Sequence, residues 1–358
     1  LVISGTDGVQ AHTETLWKLL ARYRVPTFVF VNKMDLPGAD AAVRLRELRG
    51  RFGDGCVDFS AAPDPEALAL CSEPLMNEVL ETGAAAAETV QTAIARRQVF
   101  PVLFGAALRL DGLDGLLRQK QYKLCGILNG IDMDANDPAT DKHIPFNYSI
   151  DNFEEGKAKC KEALQDRFGL HKDGSPVFGM VSRMVGMKGF DLVQSIADGL
   201  VDRGIELVIL GSGESQYESF FSDLCARHPG RVGTYIGFEP ALSQEIYAGA
   251  DAFIMPSKSE PCGLAQMVAC RYGTPPIVRE TGGLRDSIHD STMGDGNGFT
   301  FAGYSAHELY EACCHAQDAY NNKENWHNLV HHCMECDFSW DVSAKSYEGL
   351  YNETANLW

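Results

Sequence analysis

Two cations stand five residues apart in Ser182-Arg183-Met184-Val185-Gly186-Met187-Lys188-Gly189, directly after the apolar run Val177-Phe178-Gly179-Met180-Val181. Such a run reads as a buried strand, and the glycines after it as a strand-to-helix turn. In an open parallel sheet, ligands bind beyond the C-terminal ends of the strands, where helix N-termini offer N–H groups to anions. Arg183 and Lys188 would converge there on a diphosphate; alone, they fit a solvated loop with two unrelated cations equally well. Gly211-Ser212-Gly213-Glu214 closes the next apolar run as a glycine-rich turn that permits close backbone approach. Met255-Pro256-Ser257-Lys258-Ser259-Glu260-Pro261-Cys262-Gly263-Leu264 then sets a carboxylate and a short helix start behind a further strand. The carboxylate of Glu260 can accept hydrogen bonds from sugar hydroxyls, while the N–H groups of Cys262, Gly263 and Leu264 face the sugar or its phosphate. Gly282-Gly283-Leu284 adds another tight turn.

A second constellation lies near the start. Asn32-Lys33-Met34-Asp35 follows the apolar run Pro26-Thr27-Phe28-Val29-Phe30-Val31. The Asp35 carboxylate would accept the ring N–H and exocyclic amine of guanine, with the Lys33 stem over the base. Adenine offers no matching donor pair. No G-x-x-x-x-G-K-[ST] occurs anywhere in the sequence, so no P-loop cradles phosphates and no hydroxyl holds magnesium. Neither useful GTP affinity nor hydrolysis is expected.

The elements that must position these residues alternate between strand and helix, which favours parallel sheets covered on both faces. Leu1-Val2-Ile3-Ser4 reads as the end of a buried strand, so the chain is expected to start in the middle of something. A helix near 12–22 precedes the strand at 26–31, and Val99-Phe100-Pro101-Val102-Leu103-Phe104 forms another strand. Residues 38–98 show no clear strand and read as helices. From 176 the pattern is regular, with strands at 177–181, 206–210, 232–236, 251–255 and 275–278 and a helix from about 189. Asp137 to Asn152 is an aperiodic loop or linker. The fold class is α/β: a doubly wound, Rossmann-like domain over 176–358, a connector over 119–175, and a partial α/β domain over 1–118. Pro275-Pro276 puts a residue without an N–H into a strand, so strain or an edge position is expected there.

The net charge of -18 argues against binding along a nucleic-acid backbone, which needs an electropositive surface. The excess is uneven: 12 Lys+Arg against 15 Asp+Glu in residues 1–118, and 19 against 34 in the remainder. No run approaches the ~18 apolar residues of a membrane span, so no membrane partner is expected. The 11 cysteines, without a secretory signal, read as reduced thiols of a cytoplasmic protein. His331-His332-Cys333-Met334-Glu335-Cys336 and Cys313-Cys314-His315 lack the second ligand pair of a structural zinc site, so no metal and no cofactor are expected.

Residues 1–118 resemble the G domain of translational GTPases of the elongation factor G and ribosomal-protection type, through Val2-Ile3-Ser4-Gly5-Thr6-Asp7-Gly8-Val9-Gln10 and Asn32-Lys33-Met34-Asp35. Gly105-Ala106-Ala107-Leu108 falls where that family has a second guanine-contacting loop, with Ala106 in place of the usual Ser and the backbone contact at Ala107 spared. The resemblance implies a truncated remnant, with the ribosome a partner only if that part were functional.

Residues 112–358 resemble bacterial glycogen synthases and plant starch synthases of GT-B architecture. The resemblance is carried by Gly126-Ile127-Leu128-Asn129-Gly130-Ile131-Asp132, Arg271-Tyr272-Gly273-Thr274, Thr281-Gly282-Gly283-Leu284 and Phe338-Ser339-Trp340, beside the turns above. It implies ADP-glucose as donor and an α-1,4-glucan as acceptor. Arg183 and Lys188 would hold the diphosphate, Glu260 would contact the glucose, Asn129 and Asp132 would lie near the cleft, and Phe238 would stack on adenine. Ser182, Gly211, Gly213, Cys262, Gly263, Leu264, Gly282 and Gly283 complete the implied donor site. Gly112-Leu113-Asp114-Gly115-Leu116-Leu117-Arg118 fits both families, which points to a chimera. A glucan-associating, non-catalytic nucleotide-binding module remains an alternative. A GT-B enzyme closes two such domains over its substrates, and residues 1–118 are not expected to supply the other. In an enzyme with that N-terminal half restored, Arg183→Ala or Lys188→Ala abolishes incorporation of radiolabelled glucose, and near-normal incorporation overturns their assignment.

Overall fold

The computed structural model describes residues 1–106 and 124–355 and divides into two compact units, Leu1–Cys125 and Gly126–Trp358. The expected boundary at 118/119 and the shared segment 112–118 lie outside the described residues. Residues 126–175 fall within the second unit.

The first unit is built on four parallel strands, β1 (Val2–Ser4), β2 (Val29–Asn32), β3 (Cys56–Asp58) and β4 (Phe100–Phe104), in the order β1-β2-β4-β3. Ile3, Val29, Val31, Cys56, Phe100 and Val102 bring their apolar side chains into one core with Leu48. Trp17, from the helix Ala11–Arg22, closes that core by stacking on Phe52 at 4.3 Å and meeting Phe100 edge-on at 4.6 Å. Leu1–Ser4 is not uniformly buried: β1 is an edge strand, and Val2 is exposed. β2 begins at Val29, three residues later than the apolar run. Residues 38–98 are mainly helical but contain β3, whose three residues are too short to show a period.

The second unit has six parallel strands, β5 (Val177–Val181), β6 (Glu206–Gly211), β7 (Val232–Ile236), β8 (Ala252–Met255), β9 (Pro276–Arg279) and β10 (Phe299–Phe301). Their order is β10-β9-β8-β5-β6-β7. The chain winds outward from β5 to β7, returns to the other side of β5, and winds outward again to β10. The order therefore reverses between β5 and β8, and this divide is where a doubly wound sheet opens a crevice. The helix Phe190–Asp202 turns Phe190, Val193, Ile196, Ala197, Leu200 and Val201 inward, the three-to-four spacing of a face laid on a sheet.

Pro276 is not at an edge. β9 lies between β8 and β10, and Pro276 is its first residue, opposite Phe253. The ladder uses the carbonyl of the other proline instead, with Phe253 N–H donating to Pro275 O at 3.0 Å. Among the described residues, no helix is long and apolar enough to cross a membrane.

The helix Phe153–Phe168 is fastened by a buried lysine. Lys157 Nζ donates to Ala248 O (3.0 Å), Ala250 O (3.1 Å), Tyr272 O (3.3 Å) and Thr274 Oγ1 (2.7 Å). Burial lowers its pKa to about 8, against the pull of Asp251. The group thus remains an ammonium at neutral pH, with three protons for carbonyls that can only accept. Lys157→Met removes all four bonds at once, with Tyr272 O keeping only the Tyr148 hydroxyl and Ala250 O the Thr274 hydroxyl, and is expected to destabilise the unit by about 2–4 kcal/mol in a urea titration.

Candidate active site at the sheet divide

The sheet brings Arg183 and Glu260 to the same end of the unit, one just beyond β5 and the other beyond β8. The loop after β5 is pinned to the turn after β6: Ser182 N–H donates to Leu210 O (3.1 Å), Met184 N–H to Ser212 O (2.9 Å), and Glu214 N–H to Met184 O (2.8 Å). Gly211 and Gly213 are required by this contact, because a Cβ on either would run into the carbonyl of Ser182 or Met184. The Gly213 N–H is already committed to Glu218 Oε1 at 2.7 Å. Gly213 therefore permits close packing, and its N–H is not a free anion donor.

Lys188 ends a short 3-10 turn, Gly186–Lys188. Gly189 follows with φ +79°, pressed against the Pro256 carbonyl where no side chain fits. Lys258 N–H donates to Met187 O (2.9 Å), and the Tyr304 hydroxyl lies 3.1 Å from Gly186 O and 2.5 Å from Asp191 Oδ1. Burial and the Asp191 carboxylate both push the Tyr304 phenol up. So held, the Lys188 ammonium reaches Glu260 Oε2 in a close ion pair. Arg183 is exposed and has no side-chain hydrogen bond or ion pair among the described residues. The site thus offers one committed cation and one uncommitted cation.

Glu260 is buried to 9% exposure. Its loop is shaped from behind by Gly282 and Gly283, whose close approach to Glu260 O and Cys262 O excludes any Cβ, and Gly283 N–H donates to Glu260 O at 3.0 Å. Gly263 adopts φ +71° beside the fully buried Gln266 side chain. Gln266 Nε2 donates to Cys262 O (3.2 Å) and Gly263 O (3.1 Å). With the carbonyls drawn back, the N–H groups of Cys262, Gly263 and Leu264 donate no hydrogen bond among the described residues. Asn129 is joined to this loop through its backbone, its N–H meeting Cys262 Sγ at 3.4 Å.

Beyond β5, β6 and β7, a cavity of about 150 Å³ is lined by Val181, Ser182, Arg183, Leu210, Gly211 and Phe238. The Phe238 ring is 88% exposed, leaving a face open for stacking. The residues that pattern reading missed are Ser257, Gln266 and Tyr304. Ser257 stands inside the run Met255–Leu264 and Gln266 just after it, but neither carries a charge, and Tyr304 lies 118 residues from the carbonyl it meets.

In the first unit, Met34 N–H donates to Gly105 O at 3.1 Å, which brings the loop Asn32-Lys33-Met34-Asp35 against the Gly105-Ala106 loop. Lys33 takes a left-handed φ of 65°, with its N–H donating to Asn32 Oδ1 at 2.8 Å. Asp35 is exposed; Ala107 lies outside the described residues. Of the cysteine and histidine runs, Cys333 is buried and its thiol meets Asn297 O at 3.1 Å. Among the described residues, no three His, Cys, Asp or Glu side chains are grouped to hold a metal ion.

Comparison with known proteins gives two families whose matches overlap. Residues 1–194, more than half of the chain, match the family model of the elongation factor Tu GTP binding domain, and residues 162–328 match that of glycosyl transferases group 1. Residues 126–358 lie within one unit, and glycogen synthase from Clostridioides difficile (strain 630) is 47% identical over 246 residues, 68% of this chain and 51% of that protein. The chain belongs to the GTP-binding family by its leading residues and is homologous to the glycogen synthases by the rest. Glycogen synthase from Bacillus cereus (strain B4264) is 45% identical over 67% of this chain and 51% of its own. The catalytic domain of starch synthase IV from Arabidopsis thaliana, solved with ADP and acarbose, aligns with a TM-score of 0.63 at 36% identity, over 69% of this chain and 52% of that one. The parallel α/β second unit thus has a GT-B glycosyltransferase fold. The chain spans about half the length of the curated relatives it matches. The two family matches overlap at 162–194, where β5 pairs with both β6 and β8, so these residues are structurally part of the glycosyltransferase sheet.

Gly211→Ala is expected to destabilise the second unit by about 1–3 kcal/mol in denaturant titration, since its Cβ must displace Ser182 O. Wild-type stability would contradict the packing role given to Gly211.

Proposed function

We propose that the second unit is the donor side of a retaining glucosyl transfer from ADP-glucose to an α-1,4-glucan. The observation that carries this reading is the Lys188–Glu260 ion pair at the β5/β8 divide, with Arg183 on the same loop as Lys188, on a unit homologous to glycogen synthases. As the bond between glucose and phosphate breaks, negative charge grows on the departing ADP and positive character on the sugar. Cations fixed beforehand at the diphosphate stabilise that leaving group without reorganising. Phe238 supplies a face for adenine, Cys262, Gly263 and Leu264 supply N–H donors, and Glu260 accepts from the glucose. Because the chain spans half of its relatives, we propose further that it binds ADP or ADP-glucose weakly and does not elongate glucan unaided. Robust glucan synthesis by the purified chain would overturn this second statement.

The contact between Met34 and Gly105 favours a second reading for the first unit, a remnant of a translational GTPase whose guanine-contacting loops keep their backbone arrangement. Calorimetry separates the two. Heat evolved with ADP and ADP-glucose but not with GTP supports the donor site, and GTP-selective heat supports the remnant. We propose that the two parts were joined as a chimera; long-read sequencing that finds one continuous reading frame across codons 105–125 would exclude misjoined reads.

A further inference from the structure

Ser257 is completely buried at the start of the loop leaving β8, three residues before Glu260. Its hydroxyl donates to Glu260 Oε2 at 3.1 Å, the same oxygen that contacts the Lys188 ammonium. Glu260 Oε1 accepts no hydrogen bond among the described residues and is not sealed as a buried unpaired atom. We propose that Ser257 is a positioning residue that commits one oxygen of Glu260 and leaves the other for a sugar hydroxyl. The proposal rests on the donor-site reading above.

An ammonium is a compact charge that accepts a carboxylate in many orientations, whereas a hydroxyl held in the core bonds along one direction. Without Ser257, Glu260 can turn both oxygens to Lys188. That rotation removes the acceptor from the sugar and leaves the cation facing the diphosphate in place. The loss therefore falls on the glucosyl part of the donor and spares the ADP part.

The test compares ADP with ADP-glucose on the full chain, by calorimetry or ligand-observed magnetic resonance, with melting temperatures measured in parallel. Ser257→Ala is expected to weaken ADP-glucose binding by about tenfold, the scale of a hydrogen bond to a charged group, and to change ADP binding by less than about twofold. Ser257→Cys, similar in shape but a weak donor, is expected to fall between, and carries the same comparison if the alanine variant unfolds. Parallel loss of both ligands, or unchanged ADP-glucose binding, overturns the positioning role. A wild-type chain that binds neither nucleotide at millimolar concentration overturns the donor-site reading itself, and this role with it.

Discussion

The pairing of β5 with β8 is the constraint on which the second unit depends. Phe178 lies opposite Ala252 and Gly179 opposite Phe253, and across this seam the sheet changes its direction of winding. Gly179 is where the seam is tightest: a Cβ there would lie 2.6 Å from Ile246 Cγ2 and 3.1 Å from the Ala250 Cβ. The missing side chain lets the helix Pro240–Gly249 and its following turn close over the centre of the sheet. Everything chemical follows from that closure, because the loops leaving the two strands can then face each other across one crevice. Arg183 and Lys188 come from one loop and Glu260 from the other, so the ion pair between Lys188 and Glu260 reports directly on the seam beneath it.

Much of this could be read in the sequence, and what could not is physically instructive. β5 and β6 are long apolar runs ending in glycine turns, and such buried strands announce themselves through composition. β3 and β10 have three residues each, below the length at which periodicity exists. Pro275-Pro276 misled because the second ring was weighed as a lost donor, whereas at the first position of β9 the carbonyl before it makes the ladder bond. Arg183, Lys188 and Glu260 were visible as charges beside turns. The direction of the Gly213 N–H, turned toward Glu218, was not, because glycine records permission for a backbone path without recording which partner takes its donor. Gln266 illustrates the same limit from inside the core: nothing in its neighbours says that its amide grips two carbonyls of the site loop.

The two units differ in how much of their chemistry their own residues supply. In the first, Asn32, Lys33 and Asp35 sit on a loop held against Gly105, and the sequence holds no G-x-x-x-x-G-K-[ST] run. In the second, an exposed aromatic ring, two cations and a carboxylate lie on loops beyond one end of a single sheet.

The buried Lys157 also determines how the second unit can move. Its amine ties the helix Phe153–Phe168 to Ala248, Ala250 and Tyr272, which lie 91, 93 and 115 residues further along the chain. Lifting that helix away would break four hydrogen bonds of one ammonium together and uncover the apolar side chains of Phe153, Cys160 and Leu164. Its backbone amides should therefore exchange with solvent only through global opening, so that the helix and the sheet it covers form one cooperative block, while motion is left to the loops at the opposite ends of the strands.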